Sequence, residues 1–210
     1  SGNTPVITLV GNSPVNVELG DTYTDGGATA NDAEDGDITA KIKKTGTVDT
    51  SRVGTYEISY DVTDSSGNKA PTVKRQIIVK DTKKPTISPV ANTEVDEKNP
   101  ITPIDIVVTD NDSQLTVSFV TTDANGNMIN GLPPDLTYDP ITKKITGTPK
   151  NIGVYQIAIH ASDSSGNKAD AKNFTLTVKD KTAPKIDPIA DKTLPPNQPI
   201  TPINITTDDS

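Results

Sequence analysis

The residues with the most chemistry in this sequence are carboxylates, and they come in bunches. Asp32, Glu34, Asp35 and Asp37 fall within Asn31–Asp37, Asp110 and Asp112 flank Asn111, and Asp64, Asp81 and Asp163 each open a polar run. Such oxygens, with amides and backbone carbonyls, are what Ca²⁺ gathers, about six to eight at a time. Three or four carboxylates brought together without a cation would repel one another. The same residues also have a plainer use, because Asp, Asn and Gly are ordinary turn formers and Asp often caps its own turn. The pattern is not an EF-hand. Placing Asp35-Gly36 at loop positions 5 and 6 puts Asn31 at position 1 and Ile42 at position 12, where a Glu is required. The run Asp123 to Asn127 (DANGN) has the look of a metal loop too, but a hairpin turn is the expected reading.

Other chemistries are poorly supplied. The 210 residues include no Cys and a single His, His160, so thiolate nucleophiles, disulfides and multi-His metal sites are excluded. Nothing pairs a nucleophile with a base, and the chain reads as a non-enzyme. A net charge of -8 opposes binding to nucleic acid or to an anionic membrane surface. No apolar run approaches the ~18 residues of a membrane span. Without a leader or anchor the sequence reads as a piece of a longer protein. A Lys–Asn isopeptide bond would need a buried Lys, Asn and acid together, and no such trio stands out.

The elements that must position the carboxylates come from a repeat. VGTYEISYDVTDSSGNKA at 53–70 returns as IGVYQIAIHASDSSGNKA at 152–169, with Gly54 on Gly153, Tyr56 on Tyr155 and Asp64 on Asp163, an offset of 99. KPTISPVANTEVDEKNPITPIDI at 84–106 returns as APKIDPIADKTLPPNQPITPINI at 183–205 with the same offset of 99. The chain therefore divides into a module over 1–80, a second over 81–179 and the opening of a third over 180–210. Apolar residues make up 31% and aromatics 3%, which suits several small Ile/Val/Leu cores better than one large one. Tyr56, Ile58, Tyr60 and Val62 alternate with polar residues, as do Tyr155, Ile157, Ile159 and Ala161, the pattern of antiparallel strands with one buried face. His160 falls on the polar side of its strand. Each strand runs into DSSGN, where Gly67 and Gly166 can take the positive φ of a hairpin turn, and then into a second strand over 72–79 or 173–178. Frequent Pro breaks any helix. The fold expected is all-β, built of β-sandwich modules. The longer middle of the second module, 114–150, calls for an extra strand or a longer hairpin there.

The first module, with ELGDTYTDGGATANDAEDGDIT followed by VDTSRVGTYEISYDVTDSSGN, resembles the bacterial surface Ig-like repeat. The second, with GLPPDLTYDPITKKITGTPKNIGVYQIAIHASDSSGN, resembles the Ig-like, cadherin-like repeat marked by Gly-Leu-Pro-x-x-Leu, Thr-Gly-Thr-Pro and Gly-x-Tyr. The resemblance covers essentially the whole chain. It implies tandem Ig-like/cadherin-like β-sandwich modules set as an elongated rod, of the kind found in stalks of Gram-positive wall-anchored adhesins of the serine-rich-repeat type. Tyr56 and Tyr155 then stand where a tyrosine corner would.

In an Ig-type sandwich the BC and FG loops lie at the end where the first strand begins. That would gather Asp32, Asp35 and Asp37 with Asp64 in the first module, and Asp110 and Asp112 with Asp163 and the linker's Asp81 in the second. The second set resembles the cadherin joint that Ca²⁺ stiffens. Asp180 and Asp209 repeat the pattern at the opening of the third module. The function expected is a non-catalytic stalk holding an adhesin's binding head away from the cell wall, stiffened by calcium. Its location is extracellular and its wall anchoring lies in parts outside this sequence. Its partners are the neighbouring modules of the same chain and, through the parent protein, a host-surface ligand; nucleic acid and membrane insertion are not expected, and the chain is expected to be monomeric. The alternatives are a carbohydrate- or host-protein-binding module, which would want aromatic platforms, and an accessory domain of a secreted glycosidase or toxin. Residues 180–210 cannot close a sandwich alone, so any order in them is expected to come from pairing with another molecule or along the second module.

Overall fold

The computed structural model describes residues 2–208, and among these the architecture is all-β. In chain order the strands are β1 (Val6–Leu9), β2 (Val15–Glu18), β3 (Ala28–Asp32), β4 (Gly36–Asp37), β5 (Lys43–Thr45), β6 (Gly54–Asp61) and β7 (Val73–Lys80), with a single 3-10 turn at Thr39–Lys41. There follow β8 (Thr86–Ile87), β9 (Thr93–Asp96), β10 (Ile104–Asp105), β11 (Val108–Thr109), β12 (Thr116–Thr122) and β13 (Met128–Asn130). The last are β14 (Leu136–Asp139), β15 (Lys144–Gly147), β16 (Gly153–Ser162), β17 (Lys172–Lys179), β18 (Lys185–Ile186) and β19 (Thr207–Asp208). Packing divides the chain into two compact units. One holds the residues up to Ile87 with Val108–Val117 and His160–Ala171, and the other holds Ser88–Val107, Ser118–Ile159 and the residues from Lys172 on.

In the first unit one sheet runs β1-β3-β4 and the other β2-β7-β6-β5. β2 lies parallel to β7, Val15 opposite Ile77, while β6 and β7 form an antiparallel hairpin. The inward residues of both sheets form one core, in which Ile7, Ala30 and Ile38 meet Ile58, Tyr60, Val62 and Ile77. Strict alternation places them there: along β7, Arg75, Ile77 and Val79 are buried while Lys74, Gln76 and Lys80 are exposed. The short ladder of β8 on β11 pairs Ile87 with Val108 in this unit.

The second unit has a sheet in the order β13-β12-β16-β17-β9 and another in the order β10-β15-β14. β9 runs parallel to β17 as β2 does to β7. Ile145, Ile157, Ile159, Phe174 and Leu176 are buried between them, and Phe119 meets Tyr138 edge-on at 5.2 Å. The longer middle of the second repeat does supply hairpins, β12–β13 and β14–β15. β18 and β19 pair with each other, Lys185 opposite Asp208, so the pairing with other sheets expected for the last segment is not what orders it. The reason lies in the repeat, since Lys185 and Thr207 stand 99 residues after Thr86 and Val108 of the β8–β11 ladder.

Candidate functional site: a carboxylate cluster in the first unit

Two Asp-x-x-Gly-Asn turns leave the β6 and β16 strands and carry Asp64 and Asp163. In each, glycine sits at positive φ, +86° at Gly67 and +90° at Gly166, which a side-chain-bearing residue rarely adopts. Asp163 Oδ1 accepts the backbone N–H of Ser165 at 2.9 Å and of Asn167 at 2.8 Å, and Oδ2 accepts the Asn167 amide at 2.7 Å. Asn68 makes the corresponding two bonds to Asp64, from its backbone N–H at 2.7 Å and its amide at 2.6 Å. A third copy, Asp123 to Asn127, has the identical bonding on the surface at 2.9 to 3.0 Å. It is therefore a hairpin turn, as its sequence suggested. Tyr56 and Tyr155 hydroxyls reach back to the carbonyls of Arg52 and Asn151 at 2.9 and 3.2 Å, forming tyrosine corners that fix where these hairpins begin.

The structure brings three of the expected ligands together. Carboxylate oxygens of Asp81, Asp110 and Asp163 all lie within 4.8 Å of one another. Asp81 is 7% exposed and Asp163 is 7% exposed. Asp81 follows directly on β7, Asp110 on β11, and Asp163 on β16. The Asn167 amide, besides bonding Asp163, donates to the Asp81 carbonyl at 3.1 Å, tying the turn to the segment after β7. The group is acceptor-rich and donor-poor. Asp81 Oδ2, Asp110 Oδ2 and Asn111 Oδ1 are buried without a hydrogen-bond partner. A buried polar atom left unpaired costs roughly 1–3 kcal/mol, so three neighbouring acceptors in this state need a donor or a cation. Burial pushes the Asp81 carboxyl up, and the charges of Asp163 and Asp110 push it further. Burial acts on Asp163 in the same direction, but the Asn167 hydrogen bonds outweigh it and hold that carboxyl low.

The other expected ligands are placed differently. Asp112 is buried beside the group but is occupied. It accepts Gln114 N–H at 2.8 Å, Ser164 N–H at 3.0 Å and the Ser164 hydroxyl, and these hold its carboxyl below the usual range. Asp35 is its counterpart, bonded to Ser65 N–H at 2.7 Å and the Ser65 hydroxyl at 2.6 Å. Asp37 does not converge. It lies on β4, exposed, and accepts Thr39 N–H at 2.9 Å in a local turn. The expected loop Asn31–Asp37 is shorter than its sequence suggested, because Asn31 and Asp32 extend β3 and pair with Asp37 and Gly36. Asp32 is 3% exposed, with Oδ1 taken by two backbone amides and Oδ2 unpartnered. Asp32 and Asp64 belong to no group of three such carboxylates among the described residues. Asp180 caps Thr182 at 2.7 Å, and Asp209 lies outside the described residues. His160 is exposed, as its strand register required.

Sequence reasoning missed a buried ion pair. Arg75 is 1% exposed and donates to Asp25 at 2.6 Å, to the Tyr60 hydroxyl at 2.9 Å, and to the carbonyls of Val10, Asn12 and Gly27. Burial alone would raise Asp25, but hydrogen bonds from Tyr60, Arg75 and Tyr23 bring it down to about 2. The available signal was an arginine at an inward position of β7, between Val73 and Ile77. None of the five tyrosines is an exposed platform: Tyr23 and Tyr60 bond Asp25, Tyr138 packs on Phe119, and Tyr56 and Tyr155 are the corners.

Paired sheets closed over an aliphatic core, with tyrosine corners and carboxylates on the hairpin turns, define tandem Ig-like sandwich domains. Residues 7–79 match the family "Bacterial surface protein, Ig-like domain" and residues 84–179 match "Putative Ig domain". The chain belongs to these Ig-like domains of bacterial surface proteins. It is 33% identical over 173 residues to "Serine-rich adhesin for platelets" of Staphylococcus aureus strain MRSA252, over 82% of this chain and 12% of that protein. The same adhesin of strain USA300 is also 33% identical over 82% of this chain, and the chain spans 7% of it. Among solved structures it is similar to Sidekick-1 immunoglobulin domains 1-5 (12% identity, 89% of this chain and 41% of that one, TM-score 0.43). Another is Drosophila N-cadherin EC1-4 (14% identity, 88% and 53%, TM-score 0.37). Among the described residues no helix is long and apolar enough to cross a membrane.

Proposed function

We propose that this chain is a non-catalytic spacer of a bacterial cell-surface adhesin and that the Asp81–Asp110–Asp163 cluster binds Ca²⁺ to stiffen it. The modules of this reading are 1–80, 81–179 and the opening of a third over 180–210, in a protein displayed outside the cell and anchored to its wall. The observation that carries the calcium reading is the set of unpartnered buried oxygens, Asp81 Oδ2, Asp110 Oδ2 and Asn111 Oδ1, around three carboxylates within 4.8 Å. Hard oxygen donors in this number suit Ca²⁺, and no nitrogen or sulfur ligand competes. The spacer role is supported by the match to surface-protein Ig-like domains and by similarity to an adhesin. The absence of an exposed aromatic platform weighs against a sugar-binding face.

A cation here would join Asp110 and Asp163 to Asp81, the residue that follows β7, and so fix the 80–84 segment. Extracellular modules typically hold Ca²⁺ with Kd of about 10⁻⁴–10⁻³ M, so millimolar calcium would add about 0.5–2 kcal/mol of stability. The test is tryptic cleavage of the Lys83–Lys84 bond, together with thermal melting, in calcium and in chelator. The reading expects calcium to slow cleavage and raise the melting temperature in the wild type, and to do neither in Asp110→Ala. A wild type indifferent to calcium in both measurements would refute it.

A further inference from the structure

The side chain of Asn111 faces two ways. Its amide nitrogen donates to Glu18 Oε1 at 3.2 Å and to the Leu19 carbonyl at 3.0 Å, which uses both of its N–H bonds. That fixes the orientation of the amide. A flip would set Oδ1 against two acceptors and lose both bonds. Oδ1 is therefore held away from Glu18, buried and unpartnered, on the residue next to Asp110. Glu18 is spoken for in turn. It accepts Thr82 N–H at 2.9 Å and the Thr82 hydroxyl at 2.6 Å, and Thr82 is the neighbour of Asp81.

We infer that Asn111 is a further ligand of the cation through Oδ1, and that Glu18, which offers the cation nothing directly, sets the affinity by orienting the Asn111 amide. The inference rests on the calcium reading of the cluster. Glu18 is thus a positioning residue. It ends β2, so strand β2 and the cation site are coupled through one amide: binding pins Asn111, and Asn111 pins Glu18. Outer partners of this kind typically change metal affinity by about 10- to 100-fold when removed.

Calcium titration calorimetry on the full chain tests it, with wild type, Asn111→Ala, Glu18→Ala, Glu18→Gln and the Asn111→Ala/Glu18→Ala double variant. Melting in chelator establishes that each is folded. Glu18→Ala is expected to weaken calcium about tenfold, and Asn111→Ala at least as much. The double variant should bind no more weakly than Asn111→Ala alone, since Glu18 acts only through that amide. Glu18→Gln keeps a carbonyl acceptor and removes the charge, so it should bind close to wild type. Should Glu18→Ala fail to fold, Thr82→Val, which removes one bond holding Glu18, is expected to weaken calcium less but in the same direction. Wild-type affinity in a folded Glu18→Ala overturns the inference and leaves the cluster standing. An equal loss on adding Glu18→Ala to Asn111→Ala also overturns it, because Glu18 would then act by its charge alone. A wild type that does not bind calcium, with Asp110→Ala unchanged from it, removes the cluster reading and the inference together.

Discussion

Asp25 and Asp81 are both carboxylates withdrawn from water within the first unit, and their surroundings differ in sign. Around Asp25 the protein supplies donors: Arg75, two tyrosine hydroxyls and the Gly27 amide all point at it, and Lys44 stands 3.6 Å away. Its carboxyl is pulled down to about 2. Around Asp81 the protein supplies one donor, the Lys83 amide at 3.2 Å from Oδ1, and further carboxylates, and burial with their charges pushes the carboxyl up. A buried acid that is fully satisfied is a structural tie, here fastening the carbonyls of Val10, Asn12 and Gly27 to β7 through Arg75. A buried acid left with unpartnered oxygen beside other acids is an unsatisfied cluster, which the proposal above fills with a cation. Acid content alone does not separate the two; the neighbouring donors do.

Removing one half of the satisfied pair should have the largest effect. Asp25→Ala leaves the Arg75 guanidinium buried without its anion, and the expected loss is about 3–5 kcal/mol, read by urea denaturation and equal with and without calcium. A loss under 1 kcal/mol would mean that the network is loosely held.

Acid should dissect the same pair. The folded Asp25 value of about 2 lies below the ordinary 3.8, so its contribution is complete above about pH 4 and is lost as pH falls toward about 2. The amount is about 2–3 kcal/mol. Denaturation across pH 2–5 checks it, with Asp25→Asn expected to flatten the pH dependence.

The unsatisfied cluster should respond in the opposite sense to the loss of an acid. In chelator, Asp81→Asn removes a repelled charge and is expected to melt at or above the wild type. In millimolar calcium the order reverses, since only the wild type collects the gain of about 0.5–2 kcal/mol. Melting curves that keep the same order in both buffers would erase the distinction between the two regions. Asp123→Ala sharpens it from the other side. That turn is satisfied and exposed, so the cost should be about 1 kcal/mol or less and indifferent to calcium.

Much of this was legible beforehand because it depends on period and spacing. The alternation from Tyr56 to Val62 and from Tyr155 to Ala161 dictated hairpin strands with one buried face, and the glycines of DSSGN dictated turns that only a positive φ allows. Asp81, Asp110 and Asp163 were candidates because an Ig-type sandwich gathers its BC loop, its FG loop and the incoming linker at one end. Asp37 was a candidate for the same reason and does not converge, because a two-residue strand, Gly36–Asp37, turns it toward the Thr39 amide. The role of Asn111 could not be read from its neighbours in the chain, since its partners Glu18 and Leu19 lie more than 90 residues away.

The sequence by itself determined the all-β class, the repeat, the tyrosine corners, the hairpin turns and the set of acids from which a site could be drawn. These follow from local backbone preference and two-residue periodicity, which act within a few residues. Tertiary structure alone decided which acids meet, which are already satisfied and which oxygens are left over. Asp25 and Arg75 are 50 residues apart and Asp81 and Asp163 are 82 apart in sequence, and only the packed sheets bring donor to one acid and acceptor to the other. Whether a buried carboxylate is a tie or a site depends on the hydrogen-bond partners within about 3 Å, and chain order carries little of that information.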